Sequence, residues 1–373
     1  MVAVDGERLA SEQAELALKQ DVVMSVGKMS STRHGQMRRG GGPTAPSADG
    51  VGPSWQSRCL NGLLRRLPMK THWASAEVVQ AQVRRLALRP AAYGPADLGR
   101  GVEVALKNVG GWPVYQTAPS EHPDVANYAL FVHGGGYIHE IVRAHWRFVA
   151  ALTRQARVRC VVPVFPLAPF ATAKDIVPAM GALLAKLLEE AGPAKVTVVG
   201  NSAGAGLGLA AAQWLRDTRY RQPDGLVLVS PALNASVDHD ERKAIAARDP
   251  MLDIPGILEA ARLYAGDLDV AHPYVSPLNG DFRDLAPMIV FAGTRDFLYP
   301  DSVDLAAKAR AAGVPVELHL QEGQPHNYAM MPTPEGRRAR ERIVRAVSAG
   351  QAIIGPSLSA KAEAIAAVAQ QEG

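Results

Sequence analysis

The pentapeptide at residues 200–204 most constrains how this chain folds. It reads Gly-Asn-Ser-Ala-Gly, with Ser202 at its centre, and directly follows the apolar run 196–199. An apolar strand that ends in Gly-x-Ser-x-Gly and leads into a helix is typical of a tight turn that raises the serine hydroxyl above a sheet. Glycines flank the serine because side chains there would collide with the neighbouring strand and helix. The segment therefore predicts a strand, an accessible serine and a buried helix.

The rest of the chain alternates short apolar runs with amphipathic stretches. Apolar runs predict strands at 127–132, 158–164, 195–199, 225–230, 287–292 and 314–320, preceded by two strand-like segments within 100–117. Helical spacing predicts helices at 143–156, 174–191, 203–217, 302–312 and 334–349. Such alternation with short loops is typical of an α/β fold in which helices cover both faces of a mostly parallel central sheet.

Four segments fall outside this alternation. Residues 1–54 are polar, rich in glycine and without apolar periodicity, so we expect a disordered or irregular N-terminal tail. Residues 234–275 interrupt the strand–helix rhythm and resemble an insertion, and 55–95 form helices that precede the sheet. The alanine-rich residues 351–373 predict a helix or tail after a single domain that spans 55–350.

Composition argues against several functional classes. Hydrophobic residues make up 47% of the 373 residues, and no apolar run reaches the ~18 residues of a membrane span. The 40 basic and 36 acidic residues nearly balance, which argues against nucleic-acid binding. Basic residues between Arg58 and Arg85 suit at most a transient contact with acidic lipid, and a solvated helix face is the favoured interpretation.

The two cysteines, Cys59 and Cys160, are too few for a disulfide framework and lack the spacing of metal ligands. The N-terminus shows no basic start followed by an apolar stretch, so no signal peptide is predicted. We therefore expect a cytoplasmic protein without a metal.

Two other motifs supply the groups that an active serine needs. A serine nucleophile requires a base and a residue that orients the base. His326 follows the last predicted strand, and Asp296 follows an apolar strand and a glycine turn. Asp249 and Asp253 are the rival acids, but they lie on the wrong side of the next predicted strand. Asp301 is expected to cap the helix 302–312.

A glycine-rich loop provides candidates for binding a developing negative charge. His-Gly-Gly-Gly-Tyr at 133–137 follows a predicted strand, and its glycines let backbone N–H groups turn toward an oxyanion. The amides of Gly134, Gly135 and Ala203 are the predicted oxyanion hole. The competing interpretation, phosphate binding, is disfavoured because the loop lacks both a Gly-Lys-Ser/Thr and a Gly-x-Gly-x-x-Gly pattern.

Over about residues 75–349, these motifs together resemble the hormone-sensitive-lipase family of α/β-hydrolases, in its bacterial esterase branch. The order Ser202, Asp296, His326 is the order that α/β-hydrolases use. The resemblance is carried by HGGGY at 133–137, FPLAP at 165–169, GNSAG at 200–204, SPL at 276–278, GTRDFL at 293–298 and PH at 325–326. Three features depart from the pattern: Asn201 replaces an acid, Asn327 replaces a glycine, and Phe170-Ala171 replaces a Glu-His pair.

The resemblance implies a serine carboxylesterase that needs no cofactor and often forms a dimer through its last strand. It further implies a helical lid built from 55–95 and 234–275, over a site that takes small ester substrates. Tyr137 and Asn201 are the predicted substrate contacts. Short- to medium-chain acyl esters are the default substrates, and a steryl or aryl acetate is the alternative. A non-catalytic small-molecule-binding protein on the same fold is the second hypothesis.

Overall fold

The computed structural model describes residues 52–88, 94–95, 98–122, 125, 127–236 and 240–350. Its strands are β1 (Val102–Val109), β2 (Trp112–Pro119), β3 (Tyr128–Val132), β4 (Arg159–Pro163), β5 (Val196–Asn201), β6 (Gly225–Val229), β7 (Met288–Gly293) and β8 (Val316–Gln321). Its helices are α1 (Trp55–Leu64), α2 (Ala76–Leu88), α3 (Arg143–Leu152), α4 (Ala173–Ala191), α5 (Ala203–Asp217), α6 (Asp240–Ala246), α7 (Ile254–Ala265), α8 (Tyr299–Ala311) and α9 (Pro334–Ala349).

The eight strands form one sheet in the order β1-β2-β4-β3-β5-β6-β7-β8. The pairs β1–β2 and β2–β4 are antiparallel, and every later pair is parallel. Strands β5 and β6 are buried along their whole length, as expected when both faces of a parallel sheet are covered. The α/β fold with a mostly parallel sheet is therefore confirmed. Because the central strands run in parallel, their carboxyl ends share one edge, where β5 delivers Ser202.

One helix begins earlier than the sequence indicates, at Tyr299. Pro300 occupies its first turn, a position that needs no backbone N–H. Asp301 therefore lies inside the helix, and the prediction that it caps the helix is wrong. Its buried carboxylate pairs with the buried guanidinium of Arg242, and burial raises the pKa of Asp301 to about 7.

Two segments outside the sheet meet each other above this edge. Helix α2 packs against α7, and the short helix Lys70–Trp73 contacts α7 so closely that a side chain at Gly256 would overlap the backbone of Trp73. Helix α1 is tied to α9, because the N–H and hydroxyl of Ser54 donate to the two carboxylate oxygens of Glu335 at 2.6 and 2.9 Å.

The predicted tail and C-terminal segment lie almost wholly outside the described residues, which begin at 52 and end at 350. Within the described ranges, none of the helices combines the length and the apolar character needed to cross a membrane.

Candidate active site

Ser202 lies in a strained turn between β5 and α5. Its backbone has φ 53° and ψ −126°, a conformation that is uncommon for any residue other than glycine. A Cβ atom added at Gly200 would lie 2.6 Å from the carbonyl oxygen of Gly204, and one at Gly204 would overlap the carbonyl oxygens of Val132 and His133. The steric reason for both glycines is thus confirmed, and the turn leaves the serine half-buried at the sheet edge.

The structure brings together the three residues predicted from widely separated motifs. His326 Nε2 lies 2.9 Å from Ser202 Oγ, and His326 Nδ1 lies 2.8 Å from Asp296 Oδ2. The carboxylate accepts the Nδ1–H, so Nε2 is left with a lone pair that accepts the serine hydroxyl proton. Asp296 is fully buried and His326 is 3% exposed. The arrangement can therefore pass a proton from the serine to a ring that is held by a carboxylate.

The loop that carries Asp296 is packed against the loop that carries His326. A side chain at Gly293 would overlap the carbonyl oxygen of Gln324, so only glycine lets the two loops approach this closely. Asp296 also accepts the N–H of Leu298 at 3.0 Å, which fixes the orientation of the carboxylate.

Asn327 explains one departure from the family pattern. It has φ 58° in the left-handed region, which glycine and asparagine adopt more readily than other residues. Its N–H donates to Ser230 Oγ at 2.9 Å. Asparagine can therefore take the place of glycine directly after His326 in this backbone conformation.

The surroundings stabilise the charged form of His326. Burial lowers the pKa of the imidazole, but the negative charges of Asp296 and Asp249 outweigh that effect and raise the pKa above its usual value. Two other buried histidines behave in the opposite way. Burial lowers the pKa of His133 to about 4 and that of His145 to about 3, so both rings are neutral near pH 7.

The glycine-rich loop differs from its prediction at one amide. The N–H of Gly134 donates to Asn201 Oδ1 at 3.0 Å, and this bond argues against its predicted role in the oxyanion hole. Within the described residues, the N–H groups of Gly135, Gly136 and Ala203 donate to no protein acceptor. Gly136, which sequence reasoning missed, therefore joins Gly135 and Ala203 as a candidate donor.

Asn201 occupies a socket that presents two donors. The N–H of Val142 donates to His145 Nδ1 at 3.1 Å, so the neutral ring carries its proton on Nε2. That nitrogen lies 3.4 Å from Asn201 Nδ2, which is also a donor, while Gly134 N–H faces Oδ1. If the amide is rotated by 180°, its NH₂ group faces the Gly134 N–H instead, so one donor still faces another donor. A carboxylate would accept both protons, and an amide leaves one donor facing another.

The two predicted substrate contacts both line the cavity above Ser202. Both ends of the Asn201 amide face protein groups, which favours support of the glycine-rich loop over contact with substrate. Tyr137 is buried and stacks on Tyr264, with ring centroids 3.6 Å apart. Its contact with substrate stays a prediction.

A cavity of about 320 Å³ opens above Ser202 and His326. Its apolar wall comes mainly from the outer segments and the loop after His326: Leu64, Met69, Trp73, Met251, Leu252, Ile257, Val275, Leu298, Met330 and Met331. Trp55 and Leu258, which belong to the same outer segments, are 58% and 38% exposed and do not line it.

Comparison with known proteins places this geometry in a family. A family model described as alpha/beta hydrolase fold matches residues 129–330, more than half of the chain. The chain belongs to the α/β-hydrolase fold family. Among solved structures, a hormone-sensitive lipase from a metagenome library is 27% identical to this α/β-hydrolase, with a TM-score of 0.68, over 80% of this chain and 99% of that chain.

Curated relatives point the same way. A triacylglycerol lipase of Mycobacterium tuberculosis (strain ATCC 25618 / H37Rv) is 32% identical over 63% of this chain, and the match spans about half (49%) of that lipase. An acetyl-hydrolase of Streptomyces hygroscopicus is 32% identical over 57% of this chain and 72% of its own length. The resemblance to the hormone-sensitive-lipase family and the prediction of a hydrolase are therefore confirmed.

Proposed function

We propose that this α/β-hydrolase is a serine carboxylesterase that cleaves short- to medium-chain acyl esters through an acyl-enzyme. The observation that carries the proposal is the continuous chain of hydrogen bonds from Ser202 through His326 to Asp296, at the floor of an apolar cavity. The names of the relatives support ester hydrolysis as the reaction class.

In the first half of the reaction, Ser202 Oγ attacks the ester carbonyl carbon while His326 Nε2 takes the hydroxyl proton. Asp296 holds the ring in the tautomer with Nδ1 protonated and stabilises the imidazolium that forms. The carbonyl oxygen becomes an oxyanion, which the amides of Gly135, Gly136 and Ala203 bind. Ala203 lies at the start of α5, where the helix dipole also favours negative charge.

In the second half, the imidazolium returns its proton to the leaving alcohol, and the acyl group stays on Ser202. A water molecule then loses a proton to His326 and attacks the acyl carbon, which releases the carboxylic acid and restores the serine. Every proton in this scheme moves through His326, so no step calls on a metal or cofactor.

The cavity supports the proposed acyl length. Its volume of about 320 Å³ lies near the lower end of the range of about 300–1,000 Å³ that is typical of small-molecule sites. Methionine side chains form part of the wall, and their flexibility suits acyl groups of several lengths. We also infer that the segments 55–95 and 234–275 act as a lid, because described residues of both line the cavity.

An acetyl ester of a bulkier alcohol, such as a steryl or aryl acetate, is the alternative substrate, and the acetyl-hydrolase relative favours it. A non-catalytic binding protein is disfavoured, since the serine, the base and the acid are all present and in contact. The predicted homodimer through β8 and the cytoplasmic location stay predictions.

The test is hydrolysis of p-nitrophenyl esters from acetate to dodecanoate by the wild-type protein and by Ser202→Ala. We expect the highest kcat/KM among the shorter chains, together with covalent labelling of Ser202 by a fluorophosphonate. Equal rates in wild type and Ser202→Ala, or no labelling of the wild type, would overturn the proposal.

A further inference from the structure

Asp249 joins two parts of the molecule that are far apart in sequence. It lies between α6 and α7 and is 2% exposed. One carboxylate oxygen, Oδ1, accepts the N–H groups of Met251 and Leu252 at 2.8 and 3.1 Å. The other, Oδ2, accepts the N–H of Phe297 at 3.0 Å. A single buried carboxylate thus connects the segment that walls the cavity to the loop that carries Asp296.

The loop at 296–298 is held by two carboxylates at once. The side chain of Asp296 accepts the imidazole N–H of His326, Phe297 N–H donates to Asp249, and Leu298 N–H donates back to Asp296. Three consecutive residues therefore fix the turn, and the middle one is fixed by Asp249. Losing that bond would free the backbone immediately after the residue that orients His326.

Charged groups face Asp249 from two sides. On the sheet side are Asp296 and His326, and both interact with it electrostatically. On the outer side, Arg65, Lys70 and Arg248 line the same surface cavity as Asp249. Burial and the charge of Asp296 raise the pKa of Asp249 to about 6, while the N–H groups of Met251 and Phe297 favour its charged form.

We propose that Asp249 is a positioning residue of the active site. It fixes the loop 296–298, called the acid loop below, against the lid segment 234–275. It also adds a second negative charge that stabilises the imidazolium form of His326. This inference rests on the proposed function, because it requires His326 to act as the base. It also links the lid to proton transfer: a movement of 249–252 that breaks the bond to Phe297 N–H loosens the acid loop.

The test is the pH dependence of Ser202 labelling by a fluorophosphonate, compared between wild type and Asp249→Asn in the full chain. Labelling reports on the Ser202–His326 pair and does not depend on the natural ester. Loss of a negative charge disfavours the imidazolium, so the ring becomes neutral at a lower pH. We expect the acidic limb of the profile of labelling rate against pH to move to lower pH by roughly half to one unit. We also expect the plateau rate to fall about tenfold, because the new Nδ2–H group faces the Phe297 N–H.

Asp253→Asn is the matched control. Asp253 lies in the same segment, and its carboxylate caps α7 by accepting the Ile254 N–H at 3.0 Å. It makes none of the bonds to the acid loop that Asp249 makes, so we expect its acidic limb to coincide with that of wild type. If Asp249→Asn does not fold, Asp249→Ser retains an acceptor in a smaller side chain and gives the same comparison.

The outcomes separate this inference from the proposed function. A labelled wild type with an unmoved limb in the Asp249 variant overturns the role of Asp249 and leaves the esterase proposal intact. An unlabelled wild type overturns both. A limb that moves equally in Asp253→Asn overturns the inference, because the shift would then follow from any change in this segment.

Discussion

Ser202 and His326 face each other at 2.9 Å, but the molecule holds them in different ways. Ser202 is fixed by continuous local backbone: a buried strand, a strained turn and a helix within residues 196–217. His326 lies on a loop that depends on distant partners. Asn61 of α1 donates to the carbonyl oxygen of Gly323 at 3.0 Å, and Ser57 lies 3.2 Å from Gln324 Oε1. The proposed nucleophile is therefore positioned by the sheet, and the proposed base is positioned by contacts with the outer segments.

The largest effect is expected from a change at Ser202, which local backbone holds in place. Ser202→Ala deletes the nucleophile without adding a clash, so turnover of a p-nitrophenyl ester should fall by about 10⁴–10⁶-fold. Circular dichroism and the melting temperature should stay near those of wild type, because the alanine keeps the turn. A residual rate within tenfold of wild type would mean that another group attacks the ester.

The second largest effect is expected from a change at Asp296, the carboxylate that accepts the N–H of His326. Asp296→Asn keeps the shape but allows the wrong imidazole tautomer, so kcat should fall by about 10³–10⁴-fold. Its matched control is Asp284→Asn, an exposed aspartate in the turn at 283–284, which should keep wild-type kcat. A kcat loss below tenfold in Asp296→Asn would show that the ring is oriented without its carboxylate.

A third change tests whether α1 supports the histidine loop. Glu335→Gln weakens the clamp that receives Ser54 and Ser57, and we expect a loss of about 1–3 kcal/mol in the free energy of unfolding. We also expect kcat to fall several-fold, because Ser57 lies between this clamp and Gln324. Glu341→Gln, an exposed ion-pair partner on the same helix, is the control and should change neither value. Loss of stability with unchanged kcat would separate α1 from catalysis.

The same clamp predicts a pH dependence of stability. Burial raises the pKa of Glu335, but the hydrogen bonds from Ser54 and Ser57 outweigh it and lower the pKa below 4.5. The folded-state pKa is thus depressed, so this stabilisation is present above pH 4.5 and is lost as the pH falls through the folded-state value. Urea unfolding between pH 3 and 6 should show a shallower loss of stability in Glu335→Gln than in wild type.

The smallest expected effect is a gain. Asn201→Asp gives both Gly134 N–H and His145 Nε2–H an acceptor, so we expect about 1 kcal/mol more stability and up to a few-fold higher kcat/KM. Asn201→Ala removes both partners and should lower each value. If the aspartate variant is less stable than wild type, the cost of burying its charge exceeds the benefit of pairing both donors.

The sequence predicts the locally built side well, because glycines, an apolar strand and a helix obey rules that act over a few residues. The triad partners follow from the order of motifs along alternating strands and helices. The hydrogen bond that occupies the Gly134 N–H cannot be predicted from such rules, because its acceptor is a side chain 67 positions away. The hydrogen bonds of Asp249 and Glu335 are equally unpredictable from the sequence, because their partners lie 48 and 281 residues away.

The contact between Trp73 and the glycine-rich loop has an optical consequence. The indole lies so close to Gly136 that a Cβ atom there would sit 2.7 Å from the ring, and His139 packs edge-on at 5.4 Å. The fluorescence of an indole in that place depends on the polarity beside the amides that are proposed to bind the oxyanion. In a variant that keeps Trp73 and has phenylalanine at the other four tryptophan positions, intrinsic fluorescence would report the binding of a ligand directly.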